Sequence, residues 1–61
     1  MEYESEFFYT YSNLKISITY ERCEEIWYWI GRITKYPDIE IISDQFHIAK
    51  QLIENHIDSM G

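Results

Sequence analysis

A small α+β domain is what this sequence predicts: an antiparallel sheet of three or four strands with one C-terminal amphipathic helix packed on one face. Three observations carry it. The segments Glu2 to Tyr11 and Leu14 to Tyr20 alternate with a period of two, the signature of half-buried strands. Ile26-Trp27-Tyr28-Trp29-Ile30 packs three large aromatics into five positions, a composition that suits a strand. From Ser43 onward the apolar spacing lengthens to that of a helix.

The elements follow in order. Glu2, Glu4 and Glu6 alternate with Tyr3, Ser5 and Phe7, and the pattern continues to Tyr9 and Tyr11. One face of this first strand is therefore acidic and the other mainly aromatic, with Phe8 joining the acidic face. Tyr11-Ser12-Asn13 reads as a turn, since Ser and Asn bond their own backbone. Leu14 to Tyr20 alternates most cleanly, with Leu14, Ile16, Ile18 and Tyr20 inward and Lys15, Ser17 and Thr19 outward. Glu21 to Glu25 is expected to be a polar connection. In the aromatic strand that follows, Ile26 to Ile33, Trp27 and Trp29 take one face while Ile26, Tyr28 and Ile30 take the other. Tyr36-Pro37-Asp38 reads as a turn, because Pro fixes its own φ and pushes Tyr36 toward an extended conformation. Ile39 to Ile42 is expected to be a brief last strand. Ser43 and Asp44 offer N-cap side chains to a helix reaching Ser59. On a helical wheel Phe46, Ile48, Ala49, Leu52, Ile53, Ile57 and Met60 share one half, opposite His47, Gln51, Glu54, Asn55 and Asp58.

At 61 residues the chain holds a single small domain, 1–61, near the lower limit for a core without metals or disulfides. An aromatic fraction of 18% argues against disorder, since disordered chains are poor in rings. The lone Cys23 excludes an intramolecular disulfide. No run reaches the roughly 18 apolar residues that span a bilayer. The opening Met-Glu-Tyr-Glu-Ser-Glu is acidic where a signal peptide is basic, so a cytoplasmic, membrane-free protein is expected. Eleven acidic residues against five basic ones give a net charge of -6. Direct nucleic-acid binding, which neutralises phosphates with Lys and Arg, is disfavoured, and an acidic surface suits a basic protein partner. The plainer explanation of such a charge is solubility.

Chemistry is hard to place on this chain. His47 and His56 are nine residues apart, about 180° around one helix, so they cannot share a metal. Cys23 sits among Glu21, Glu24 and Glu25, whose charges disfavour a thiolate. Gly31 is the one internal glycine, so no phosphate-cradling loop is present. No catalytic residue, metal or cofactor is expected. His56, between Leu52 and Met60 on the wheel, reads more simply as a helix C-terminal residue than as a pH-sensitive contact. Two placements are open, with Trp27 and Trp29 as core beneath the helix or with Tyr28 there; whichever face the helix covers, a large ring is left on the other. Tyr and Trp are favoured interface anchors.

From about Leu14 to Asp58 the layout resembles the HicB-like group of small antitoxins. The likeness is carried by Lys15-Ile16-Ser17-Ile18, Trp27-Tyr28-Trp29-Ile30, Tyr36-Pro37-Asp38-Ile39 and Ala49 within the helix. Ile41-Ile42-Ser43 stands where that pattern has a glycine before the helix. The resemblance implies a non-catalytic acidic partner that covers the active site of a small RNase toxin. From the residues themselves the expectation is an acidic binding module, antitoxin-like or phage-inhibitor-like, that inhibits or sequesters a basic partner. Glu2, Glu4, Glu6, Glu21, Glu24 and Glu25 would steer, and Trp27, Tyr28 and Trp29 would anchor. Carboxylates aligned along one edge would make it a DNA mimic. The alternative is a structural homodimer or assembly subunit with no inhibitory role.

Overall fold

The computed structural model describes residues 2–60, with their side chains from residue 4 onward. Four strands are followed by one helix: β1 (Glu2–Tyr11), β2 (Leu14–Cys23), β3 (Ile26–Ile33), β4 (Tyr36–Ser43) and α1 (Phe46–Met60). The strands form one antiparallel sheet in the order β1-β2-β3-β4. This is the α+β architecture the alternation pattern predicts.

Two-residue turns join the strands. Ser12 and Asn13 both take positive φ, 53° and 66°, the geometry that matches the twist of a tight hairpin. The second turn departs from expectation. Glu21 to Glu25 is not a connection, because β2 continues to Cys23 and only Glu24-Glu25 turns. Glu24 enters the left-handed region at φ 64°, which closes the hairpin early and lets Arg22 and Cys23 pair with Trp27 and Ile26. The last strand is also longer than Ile39 to Ile42. Tyr36 pairs with Ile33, and the register then slips so that Arg32 pairs with Glu40. Residues 37–39 form the irregularity, and Pro37 is tolerated there because β4 is an edge strand. The chain turns before α1 through Ser43, whose Oγ accepts the Gln45 N–H at 3.2 Å, and Gln45 C=O accepts Ala49 N–H at 3.0 Å.

Residues directly opposite in an antiparallel pair share a face. The register therefore places Tyr9, Ile16, Ile18, Gly31, Ile33 and Ile41 on the face that α1 covers. Ile16, Ile18, Ile33, Ala49, Ile53 and Ile57 make the buried core. Ala49, Ile53 and Ile57 are spaced i, i+4, i+8, a stripe narrower than the predicted half-wheel. Ile48, Leu52 and Met60 are not part of it; they remain 36%, 43% and 42% exposed.

Gly31 sets how close the helix comes. A Cβ there would lie 3.1 Å from Ile53 Cδ1, in a core that is already closed. Gly31→Val is expected to destabilise by about 1–3 kcal/mol, the usual range for overpacking. A shift of the urea midpoint to lower concentration checks it, and an unchanged midpoint would mean the helix yields freely.

One flank of α1 is tied to β1. Tyr9 Oη donates to Glu54 Oε2 at 2.9 Å, and Tyr11 Oη donates to Asp58 Oδ1 at 2.9 Å. The two spacings match: two strand residues advance about 7 Å and four helical residues about 6 Å. Burial, then the hydrogen bond and charge of Glu54, hold the Tyr9 hydroxyl well above the usual tyrosine range. Lys50 Nζ donates to the same Glu54 carboxylate at 2.7 Å and lies 5.2 Å from the Tyr9 ring centre.

Candidate functional site: an overhanging acidic and aromatic sheet end

The sheet is longer than the helix that covers it. At 1.5 Å per residue the 15-residue α1 spans about 22 Å, whereas the 10-residue β1 and β2 each span about 33 Å. The shortfall falls at one end. Phe46, the first residue of α1, sets its ring 5.0 Å from that of Trp29 and 5.1 Å from that of Phe7. Strand β4 also stops here, since its last residue, Ser43, pairs with Trp29. Beyond that row the sheet continues as β1, β2 and β3 without helix or fourth strand among the described residues.

The overhang is where the sequence-predicted residues gather. Glu4 lies at the β1 register shift between Tyr3 and Ser5, and Glu6 pairs with Thr19 one row inside. Glu24 and Glu25 form the hairpin tip, and Ile26, Trp27 and Tyr28 are the β3 residues past the end of β4. Glu4, Glu6, Glu24 and Glu25 are exposed. The Glu2 side chain lies outside the described residues. Residues 24 positions apart along the chain are thus brought together by the β1-β2 and β2-β3 ladders.

The aromatics divide between the two faces. Trp27 stacks on Tyr20 with ring centres 5.0 Å apart and planes at 23°, and Tyr20 meets Trp29 at 4.6 Å. Trp29 in turn touches Phe7 and Phe46, so a continuous run of rings leads from the helix start out to the overhang. The tryptophans are therefore on the helix side, with Trp29 packed against the core margin. Tyr28 takes the opposite face, opposite Glu21.

Glu21 has a different role from the other acids. It is 8% exposed, and its carboxylate accepts Arg32 Nη1 at 2.6 Å and the Thr19 hydroxyl. Arg32 Nη1 also donates to Thr19 Oγ1 at 3.2 Å, and its Nε reaches Glu40 Oε2 at 3.3 Å. The bonds from Arg32, then Thr19, hold the Glu21 carboxyl below the usual range against the opposing effect of burial. Its charge is consumed internally, so Glu21 is a structural acid and not a steering one. Sequence reasoning missed this cluster because it assigned Glu21 to a connection. With the turn placed at Glu24-Glu25, the register puts Thr19, Glu21, Ile30 and Arg32 on one face, and that was the available signal.

No group of three or more His, Cys, Asp or Glu side chains able to hold a metal occurs among the described residues. Cys23 is an exposed free thiol at the tip. No helix of the described residues is long and apolar enough to cross a membrane. Neither protein-family models, nor curated proteins, nor solved structures gave a significant match. The case for function therefore rests on the overhang: exposed carboxylates on two sides of an aromatic platform, carried on strands whose far halves are fixed in the core. Such an arrangement presents a preformed charged and apolar surface to a macromolecule.

Proposed function

We propose that this chain is a non-catalytic acidic binding module that inhibits or sequesters a basic protein partner, such as a nuclease or nucleic-acid-binding protein, in the cytoplasm. The supporting observation is the overhang, which collects Glu4, Glu24 and Glu25 around Trp27 and Tyr28 where neither α1 nor β4 covers the sheet, with Glu6 one row inside. Carboxylates at the margin steer a basic partner, and the rings supply buried area with few rotors. The same reading accommodates an antitoxin-like or phage-inhibitor-like role. The carboxylates are split between β1 and the hairpin turn, which favours simple attraction of a basic surface over mimicry of a single line of phosphates.

The test is capture from the native lysate at low and high salt, followed by titration of the recovered partner with wild type and with a Glu24→Lys, Glu25→Lys double variant. Affinity is expected to fall at least tenfold on reversal and steeply with salt, because exposed charges are screened within about 10 Å at 0.1 M. Binding that ignores both salt and reversal would sink the proposal.

A further inference from the structure

The placement of α1 on the sheet is off centre. It lies over β3 and β4 alike, much less over β2, and reaches β1 through the tyrosine hydroxyls and the Phe46 ring on Phe7. A helix covering a four-stranded sheet by itself would sit nearer the middle, and Phe7 of β1, left 49% exposed on the helix side, shows what the displacement forgoes. The flank of α1 turned away from β1 carries Ile48, Leu52, His56 and Ser59 and no Asp, Glu, Lys or Arg. The opposite flank carries Lys50, Glu54 and Asp58, all hydrogen-bonded. Below the uncharged flank runs β4, the sheet edge, whose irregular residues 37–39 give way to a regular stretch from Glu40 to Ser43.

From this placement we infer that a second copy of the chain covers the β4 edge and the uncharged flank of α1. Two strand edges pair about 4.8 Å apart, and a helix axis midway between β3 and β4 lies about 2.4 Å inside the edge. Pairing β4 with β4 therefore sets the two helix axes about 10 Å apart, the outer end of the 8–10 Å range for packed helices. A helix centred between β2 and β3 would leave them about 19 Å apart, with a gap between. A two-fold axis through Ile41 keeps faces matched, opposing Ile41 to its own copy and placing both helices on the same side of an eight-stranded sheet. Gly31 pairs with Ile41 and lies beneath Ile53 and Ala49, so the axis passes close to Leu52 and Ile48.

Charge selects this occupant. Two molecules of net charge -6 repel, and the α1 flank adds no formal charge to the contact; on β4 the acids are Asp38 and Glu40, the second held by Arg32. A basic partner has no reason to prefer this flank. The acidic overhang, at the Ser43 end of the sheet, stays outside the contact, and the two-fold axis directs the two overhangs in opposite directions.

Sedimentation velocity and light scattering on the full chain test the inference. Wild type is expected to approach 15 kDa, twice 7.5 kDa, and salt, which screens the repulsion between the two copies, is expected not to weaken the association. Leu52→Glu, at an exposed position that folding does not need, is expected to weaken self-association at least tenfold while the circular dichroism spectrum is kept; Ile48→Glu should do the same. Phe8→Glu, on the uncovered opposite face, should leave the dimer intact. Leu52→Cys in a Cys23→Ser background should cross-link between chains on mild oxidation. A wild type that stays at 7.5 kDa up to about 1 mM overturns the inference. So does a dimer that survives Leu52→Glu, or one that Phe8→Glu abolishes.

Discussion

Ile53→Ala is expected to leave most of the chain unfolded at 25 °C. Ile53 is fully buried, lies over Gly31 and stands at the middle of the three residues that α1 inserts between itself and the sheet. Removing a buried isoleucine side chain down to alanine costs about 2–5 kcal/mol, the upper part of that range where the cavity cannot collapse. Collapse is obstructed here because the backbone of Gly31 presents no side chain to move into the space. A domain of this size holds only about 3–5 kcal/mol in total. Loss of far-ultraviolet strand signal and of dispersed amide resonances in the variant checks it. Leu52→Ala is the control, expected to change stability by less than about 0.5 kcal/mol when the chain is dilute. A variant at Ile53 that melts within a few degrees of wild type would place the core elsewhere.

Glu21→Ala is expected to be the most damaging change outside the core. The carboxylate is the hub of the Thr19, Arg32 and Glu40 cluster, and without it Arg32 keeps only the longer bonds to Thr19 Oγ1 at 3.2 Å and Glu40 at 3.3 Å among those described. Loss of hydrogen bonds to a charged group in a half-buried setting costs about 1–3 kcal/mol. The pH dependence distinguishes this from a packing defect. The folded carboxyl titrates below its ordinary range, so the unfolded chain binds the proton first as pH falls. The stabilisation is therefore complete above the ordinary glutamate pKa, about 4.3, and fades as pH drops through the lower folded value. Urea midpoints of wild type and Glu21→Ala should differ most near neutrality and converge toward pH 3. A gap that stays constant with pH would assign the loss to packing.

What the sequence made legible was the part governed by periodicity. Leu14 to Tyr20 announces its faces because a period of two has one reading once a single face is apolar, whereas Ile26 to Ile33 is apolar on both and left open which one the helix covers. The helix was equally plain, yet its wheel grouped Ile48, Leu52 and Met60 with Ala49, Ile53 and Ile57. Periodicity counts apolar residues and cannot say how wide a stripe the neighbouring layer will cover, which depends on where α1 rests across the strands. Turn placement failed for a related reason. Glu24 is a poor residue for the left-handed region, so nothing in Glu21 to Glu25 marked where the chain reverses. That single error hid the register, and with the register went the Glu21–Arg32 pair. The candidate site fared similarly: Glu4, Glu6, Glu24, Glu25, Trp27 and Tyr28 could be named one by one, but their meeting at one end is a product of pairing.

The mismatch in length between sheet and helix has a consequence for how this protein changes over generations. Residues in the covered part answer to the core, where most substitutions are penalised before any partner is met. Residues 24 and 25, at the hairpin tip, have no such obligation, and glycine at position 24 would if anything relax the backbone. The chain is in this sense two texts written on the same strands, one constrained by folding and one free of that constraint. Substitutions confined to the tip positions would therefore reshape the overhang's surface while the rest of the molecule is left as it stands.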